Sequence, residues 1–103
     1  MNGAIEVSKD QIEAFCRKWG VREFSFFGSI LREDFGPHSD IDILVELDPA
    51  RKIDVWDWMD MLEELRTMFG RNVDLVEKDA IRNPFRRRRI LSHYEVVYAG
   101  SSG

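Results

Sequence analysis

Apolar residues recur at helical spacing in two stretches of this chain and cluster in short extended runs between them, so the pattern reads as helices interleaved with strands. Ile12, Phe15, Cys16 and Trp19 form one stripe behind Ser8-Lys9-Asp10-Gln11, which has the form of a capping box, and Gly20 stops the helix they define. Residues 22–27 are rich in aromatic side chains and predict a strand, 29–34 a short helix, and 40–47 a second strand. After a loop over 48–52, the stripe Val55, Trp58, Met59, Leu62, Leu65 and Phe69 predicts the longest helix, 54–69, closed by Gly70. Trp56 falls off that stripe and is expected at the surface. Residues 72–77 give a third strand, Asn83-Pro84 opens a helix running to Arg89 or His93, and 95–98 reads equally as the end of that helix or as an edge strand. Strands alternating with helices predict a small α/β (α+β) domain, a mixed sheet packed by helices, over 1–98, with a flexible tail at 99–103.

Composition narrows what such a domain can do. With 103 residues there is one core and no room for a separate substrate-recognition domain. Fifteen basic against nineteen acidic residues, a net charge of −4, disfavour a broad electrostatic grip on nucleic acid. Cys16 is the single cysteine, so no internal disulfide forms, and its place on the first helical stripe makes it a buried structural thiol. No apolar stretch approaches the roughly 20 residues that span a bilayer, and the N-terminus has no signal core; the expected setting is the cytoplasm, away from any membrane.

The chemistry concentrates between Gly28 and Asp42. The apolar run ending at Phe27 leads into Gly28-Ser29, a small bend at a helix start, where free N–H groups favour a phosphate. A turn at Gly36-Pro37 then returns the chain to Asp40 and Asp42. In an extended strand these two share a face, roughly 7 Å apart, and both can reach one divalent cation. Around them, Arg32 can reach a triphosphate or pair with Glu33 or Asp34, His38 is expected in solvent, and Ser39 caps or braces the turn. The run Arg86 to Arg89 has three readings: a solvated helix face, a polyanion contact, or a docking surface for an acidic partner.

Gly-Ser, a spacer of about ten residues and Asp-x-Asp resemble the signature of the DNA polymerase β-like nucleotidyltransferase superfamily, matched here at Gly28, Ser29, Asp40 and Asp42. Phe27-Gly28-Ser29, Arg32, Gly36-Pro37 and Ser39-Asp40-Ile41-Asp42 resemble the minimal nucleotidyltransferases within it, and the likeness extends over nearly the whole chain. Glu33 stands where Gly is frequent in that group, and His38 where an acid is frequent. The resemblance implies the polymerase β-like core and maps a third carboxylate to Asp74, which interrupts the apolar run Val73, Leu75 and Val76; Glu77 is the rival acid. It further implies that Asp40, Asp42 and Asp74 bind two Mg²⁺ ions and carry catalysis, while Gly28, Ser29, Arg32 and Ser39 bind the nucleotide. The activity implied is transfer of AMP from ATP to a hydroxyl of a partner protein, a HEPN-type ribonuclease toxin for which this chain is the antitoxin. A homo-oligomer is compatible with all of this. Two other functions fit the same residues: an antitoxin that masks its toxin by contact alone, and a nucleotidyltransferase acting on a small molecule such as a drug.

Overall fold

The computed structural model describes residues 7–33, 35–36 and 38–100. The element order is α1 (Lys9–Trp19), β1 (Val21–Phe27), β2 (Ile41–Leu47), α2 (Val55–Phe69), β3 (Val73–Glu77), α3 (Pro84–Ser92) and β4 (Tyr94–Ala99), with single 3₁₀ turns at Gly28–Leu31 and Lys78–Ala80. The sheet order is β3-β2-β1-β4, antiparallel except for the β2/β3 pair. This is the mixed sheet expected, and the ambiguous C-terminal segment is an edge strand. That strand also shortens the expected tail: Ala99 lies within β4 and the Gly100 N–H donates to the Arg22 carbonyl at 2.8 Å. Residues 101–103 of that tail, and 1–6 of the expected domain, lie outside the described residues. Among the described residues no helix is long and apolar enough to cross a membrane.

The two faces of the sheet carry different cores. Phe24 and Phe26 of β1, Ile41, Ile43 and Val45 of β2, and Val73 and Leu75 of β3 face α1 and α2, where Phe15, Met61 and Leu65 are almost fully buried. Edge-to-face rings run through this layer from Phe15 to Phe24, Phe26 and Phe69, with centroids 5.8–6.1 Å apart. On the opposite face Phe27, Leu44 and Val76 meet Ile81 and Ile90, so α3 covers a smaller apolar layer.

Local chemistry sets the helix ends. Ser8 and Gln11 form the expected reciprocal capping box on α1, Asp54 and Asp57 form one on α2, and Asn83 caps α3 ahead of Pro84. The buried seam of α2 differs from the expected stripe: Met61 and Leu65 are buried, Trp58, Leu62, Met68 and Phe69 pack against the core, and Val55 and Met59 are exposed alongside Trp56. Cys16 is 1% exposed, and burial, aided by nearby Glu13, pushes its thiol up to about 12. A thiol reagent at neutral pH should therefore leave the native protein unmodified and label the urea-unfolded chain once. Labelling of both at the same rate would contradict this burial.

Candidate functional site

The parallel pairing of β2 with β3 places Asp42 opposite Asp74. Register partners in a parallel pair project to the same face, so the two carboxylates stand side by side on the face that α3 covers. Glu77 pairs with Val45, whose side chain belongs to the other core, and so points away from this pair. On the other side of β2, Asp42 pairs with Phe27, and this carries the end of β1 and the following bend directly over Asp42.

That bend is built against the acid. Gly28 has φ +72°, and a Cβ there would stand 3.1 Å from the Asp42 Cγ and collide with its Oδ2. The Ser29 N–H donates to the Asp42 carboxylate, while the Ser29 hydroxyl donates to the Asp40 carbonyl at 3.1 Å. The helix expected over 29–34 is one 3₁₀ turn, Gly28–Leu31, and Arg32 is extended; Asp34 lies outside the described residues. Four residues align too few peptide dipoles to make a macrodipole of consequence. The phosphate-binding character inferred from a helix N-terminus is therefore corrected: any anion grip here comes from individual donors.

An open chamber of about 430 Å³ lies over these residues, lined by Gly28, Ser29, Arg32, Asp42 and Asp74 from the sheet side and by Arg86, Arg89 and His93 from α3 and its end. Half-buried Asp42 has its pKa raised, first by burial; the Ser29 hydrogen bond opposes this, Asp74 and Asp40 add to it, and Arg32 lowers it slightly. A carboxylate so placed is one that a cation would stabilise. The donors are carboxylate oxygens, the type a small hard divalent ion takes, and in that sense the site fits Mg²⁺.

The expected trio is not assembled as a ready chelate. Among the described residues, no three His, Cys, Asp or Glu side chains stand close enough to hold one ion. Asp40 precedes β2 and lines a neighbouring opening with His38, Ser39, Arg66, Arg71 and Asn72, while Asp42 and Asp74 share the main chamber. Mutual repulsion of like charges favours that separation.

Ser39 braces the turn, one of the two roles expected of it. Its hydroxyl accepts from the Gly36 N–H at 3.1 Å, and its carbonyl accepts from the Arg71 guanidinium at 3.2 Å. Arg71 also donates to the Gly36 carbonyl at 3.1 Å and stacks over Phe35 with 5.0 Å to the ring centre, so it clips the segment that delivers Asp40. Pro37 lies outside the described residues. His38 is exposed, as expected; Glu33, also exposed, is not on the chamber wall. Arg71 and His93 are residues that sequence reasoning passed over, and Arg86 and Arg89, read there only as part of an undivided arginine run, were not assigned to this site. The i, i+3 spacing of Arg86 and Arg89 was a usable signal for a shared helix face.

The nucleotidyltransferase domain family matches residues 8–97 of the chain. Protein adenylyltransferase MntA of Thermococcus cleftensis is 32% identical over 81 residues, which are 79% of this chain and 77% of the relative. The fold superposes with a TM-score of 0.73 on a crystal structure of a toxin–antitoxin with AMP-PNP, at 19% identity, over 91% of this chain and 75% of the other. A structure of a tri-AMPylated Shewanella oneidensis HEPN toxin in complex with an MNT antitoxin gives a TM-score of 0.64 at 19% identity, over 89% of this chain and 70% of the other. At that identity the solved structures share the fold.

Proposed function

The chain belongs to the nucleotidyltransferase domain family, and from that premise we propose that it transfers AMP from ATP to a hydroxyl on a partner protein, a HEPN-type toxin. The observation that carries this reading is the pairing of Asp42 with Asp74 on parallel strands beneath the Gly28-Ser29 bend. The names of the relative and of the structural neighbours add support: an adenylyltransferase, a complex with an ATP analogue and an AMP-modified HEPN toxin. A cytoplasmic setting goes with the ATP that such chemistry consumes.

Asp40, Asp42 and Asp74 would hold Mg²⁺, which when bound supplies charge neutralisation of the triphosphate and a lower pKa for the attacking hydroxyl. The remaining work falls to the protein. Gly28, lacking a Cβ, lets backbone approach the nucleotide closely, and Ser29 ties the bend to both acids through its N–H and hydroxyl. Arg32 on the chamber wall offsets phosphate charge. Asp74, with 56% of its side chain exposed, is reachable by an incoming acceptor and takes the hydroxyl proton. The acceptor oxygen bonds to the α-phosphorus, the bond from that phosphorus to the bridging oxygen breaks, and pyrophosphate leaves.

Incubation of this chain with the product of its neighbouring gene and Mg·ATP should raise the partner's intact mass by one or more AMP units. An unchanged mass in the presence of a folded partner overturns the proposal. The second reading, masking by contact alone, draws on one observation: Val55, Trp56 and Met59 are 65%, 71% and 55% exposed at the start of α2, an apolar patch suited to a protein surface. Rescue from the toxin by an Asp42→Asn variant would favour it.

A further inference from the structure

The run Arg86 to Arg89 is not one surface. Ile90 is 5% exposed and packs in the small core with Phe27, Leu44, Val76 and Ile81, and this fixes the rotation of α3 about its axis. At helical spacing Arg86 and Arg89 flank Ile90 on the side that faces the chamber. Arg87 is committed elsewhere, donating to the Lys78 carbonyl at 2.7 Å. Arg88 is exposed and does not line the chamber.

Neither chamber arginine is held by a close partner among the described residues. Arg86 stands 4.0 Å from the Asp74 Oδ2, with both side chains about half exposed, which is longer than the roughly 2.7–2.9 Å of a charge-assisted hydrogen bond. Arg89 has no ion-pair partner among the described residues. Three guanidiniums, Arg32, Arg86 and Arg89, thus meet in one opening of a protein whose net charge is −4. Asp42 and Asp74 account for two of those charges, and the excess is positive on the α3 side. The donors expected to grip phosphate on the opposite side are already engaged, the Ser29 N–H by Asp42 and its hydroxyl by the Asp40 carbonyl.

We infer that Arg86 and Arg89 bind the β- and γ-phosphates of the nucleoside triphosphate, α3 forming the wall of the chamber opposite the Gly28-Ser29 bend. This rests on the nucleotide-binding reading above and names the side chains that hold the polyphosphate. Two forked guanidiniums one helical turn apart suit adjacent phosphates better than they suit a single carboxylate. The arginine run, in a chain whose net charge is −4, then has a local target and needs no nucleic acid.

The test is equilibrium binding by the full chain, in Mg²⁺, of a non-hydrolysable ATP analogue and separately of AMP. Arg86→Ala and Arg89→Ala should each weaken the triphosphate about 10-fold and the double variant about 100-fold, while AMP affinity changes less than about 3-fold. Arg88→Ala should match wild type, and Arg86→Lys with Arg89→Lys should recover part of the loss. Both arginines are exposed, so circular dichroism should report an intact fold in every variant. A double variant that binds the analogue like wild type overturns the inference. So does an equal loss for AMP, an equal loss in Arg88→Ala, or a loss confined to capture of the partner protein. A wild-type chain that binds no triphosphate overturns the enzyme reading as well, whereas normal wild-type binding with an unaffected double variant overturns this assignment alone.

Discussion

Asp42→Asn should lower AMP transfer at least about 10³-fold, roughly 4 kcal/mol at 1.36 kcal/mol per decade, while the folded protein becomes no less stable at neutral pH. Asparagine keeps the size of the side chain and an oxygen to accept the Ser29 N–H, so the bend stays in place. What disappears is the charge on which a cation would depend. Stability moves the other way. Burial, with Asp74 and Asp40 behind it, raises the Asp42 pKa above the ordinary 3.8, so the native state holds that proton more tightly than the unfolded chain. The charged carboxylate is thus a penalty on folding at neutral pH. That penalty is relieved as pH falls through the raised value, and is gone below 3.8. Asn carries no such penalty, so the variant's advantage in thermal melts should be largest at neutral pH and close in acid. Transfer by the variant at the wild-type rate would refute the assignment of Asp42, and a variant markedly less stable at neutral pH would contradict its electrostatics.

The parts of this architecture that were legible in the sequence are those where local chemistry and tertiary packing agree. The Ser8–Gln11 capping box, the first three strands and the Pro84 start of α3 depend on neighbours within a few residues, and they appear within a residue of expectation. Asp42 was legible because the motif spacing puts it at the start of β2, and parallel register sets it beside Asp74, which the resemblance had marked; Asp40 falls just ahead of the strand. Three features depend on distant contacts and were not. Nine of the fifteen residues of α2 are apolar, which allows overlapping stripes, and only docking against Phe26 and the β3 side chains selects Met61 and Leu65 over Val55 and Met59. The turn after Gly28 is held at four residues by its bonds to Asp40 and Asp42, about a dozen positions downstream, and no local signal encodes that. The division of the arginine run into facing and non-facing members follows from the burial of Ile90, which a charge count cannot reveal.

Gly28→Ala and Gly70→Ala should separate backbone strain from collision. Both glycines are left-handed, at φ +72° and +68°, so alanine at either position incurs about 1 kcal/mol or somewhat more of conformational strain. At Gly70, which ends α2, an added Cβ meets nothing within 4 Å, and strain is the whole effect. Gly70→Ala should therefore melt slightly earlier and transfer AMP at the wild-type rate. At Gly28 the new Cβ runs into the Asp42 carboxylate, whose Oδ2 it would overlap. The acid must rotate or the bend must lift, and either motion breaks the Ser29 N–H bond that fixes their relation. A displacement of about 1 Å at reacting groups is enough to cost on the order of 10²-fold in rate, so Gly28→Ala should lose transfer by at least that factor. Its stability loss should exceed that of Gly70→Ala, because the half-buried carboxylate has little room to yield. Paired measurements of thermal stability and labelled-ATP transfer decide the point. If Gly28→Ala loses stability and retains its rate as Gly70→Ala does, the bend is only a turn, and its closeness to Asp42 has no part in the chemistry.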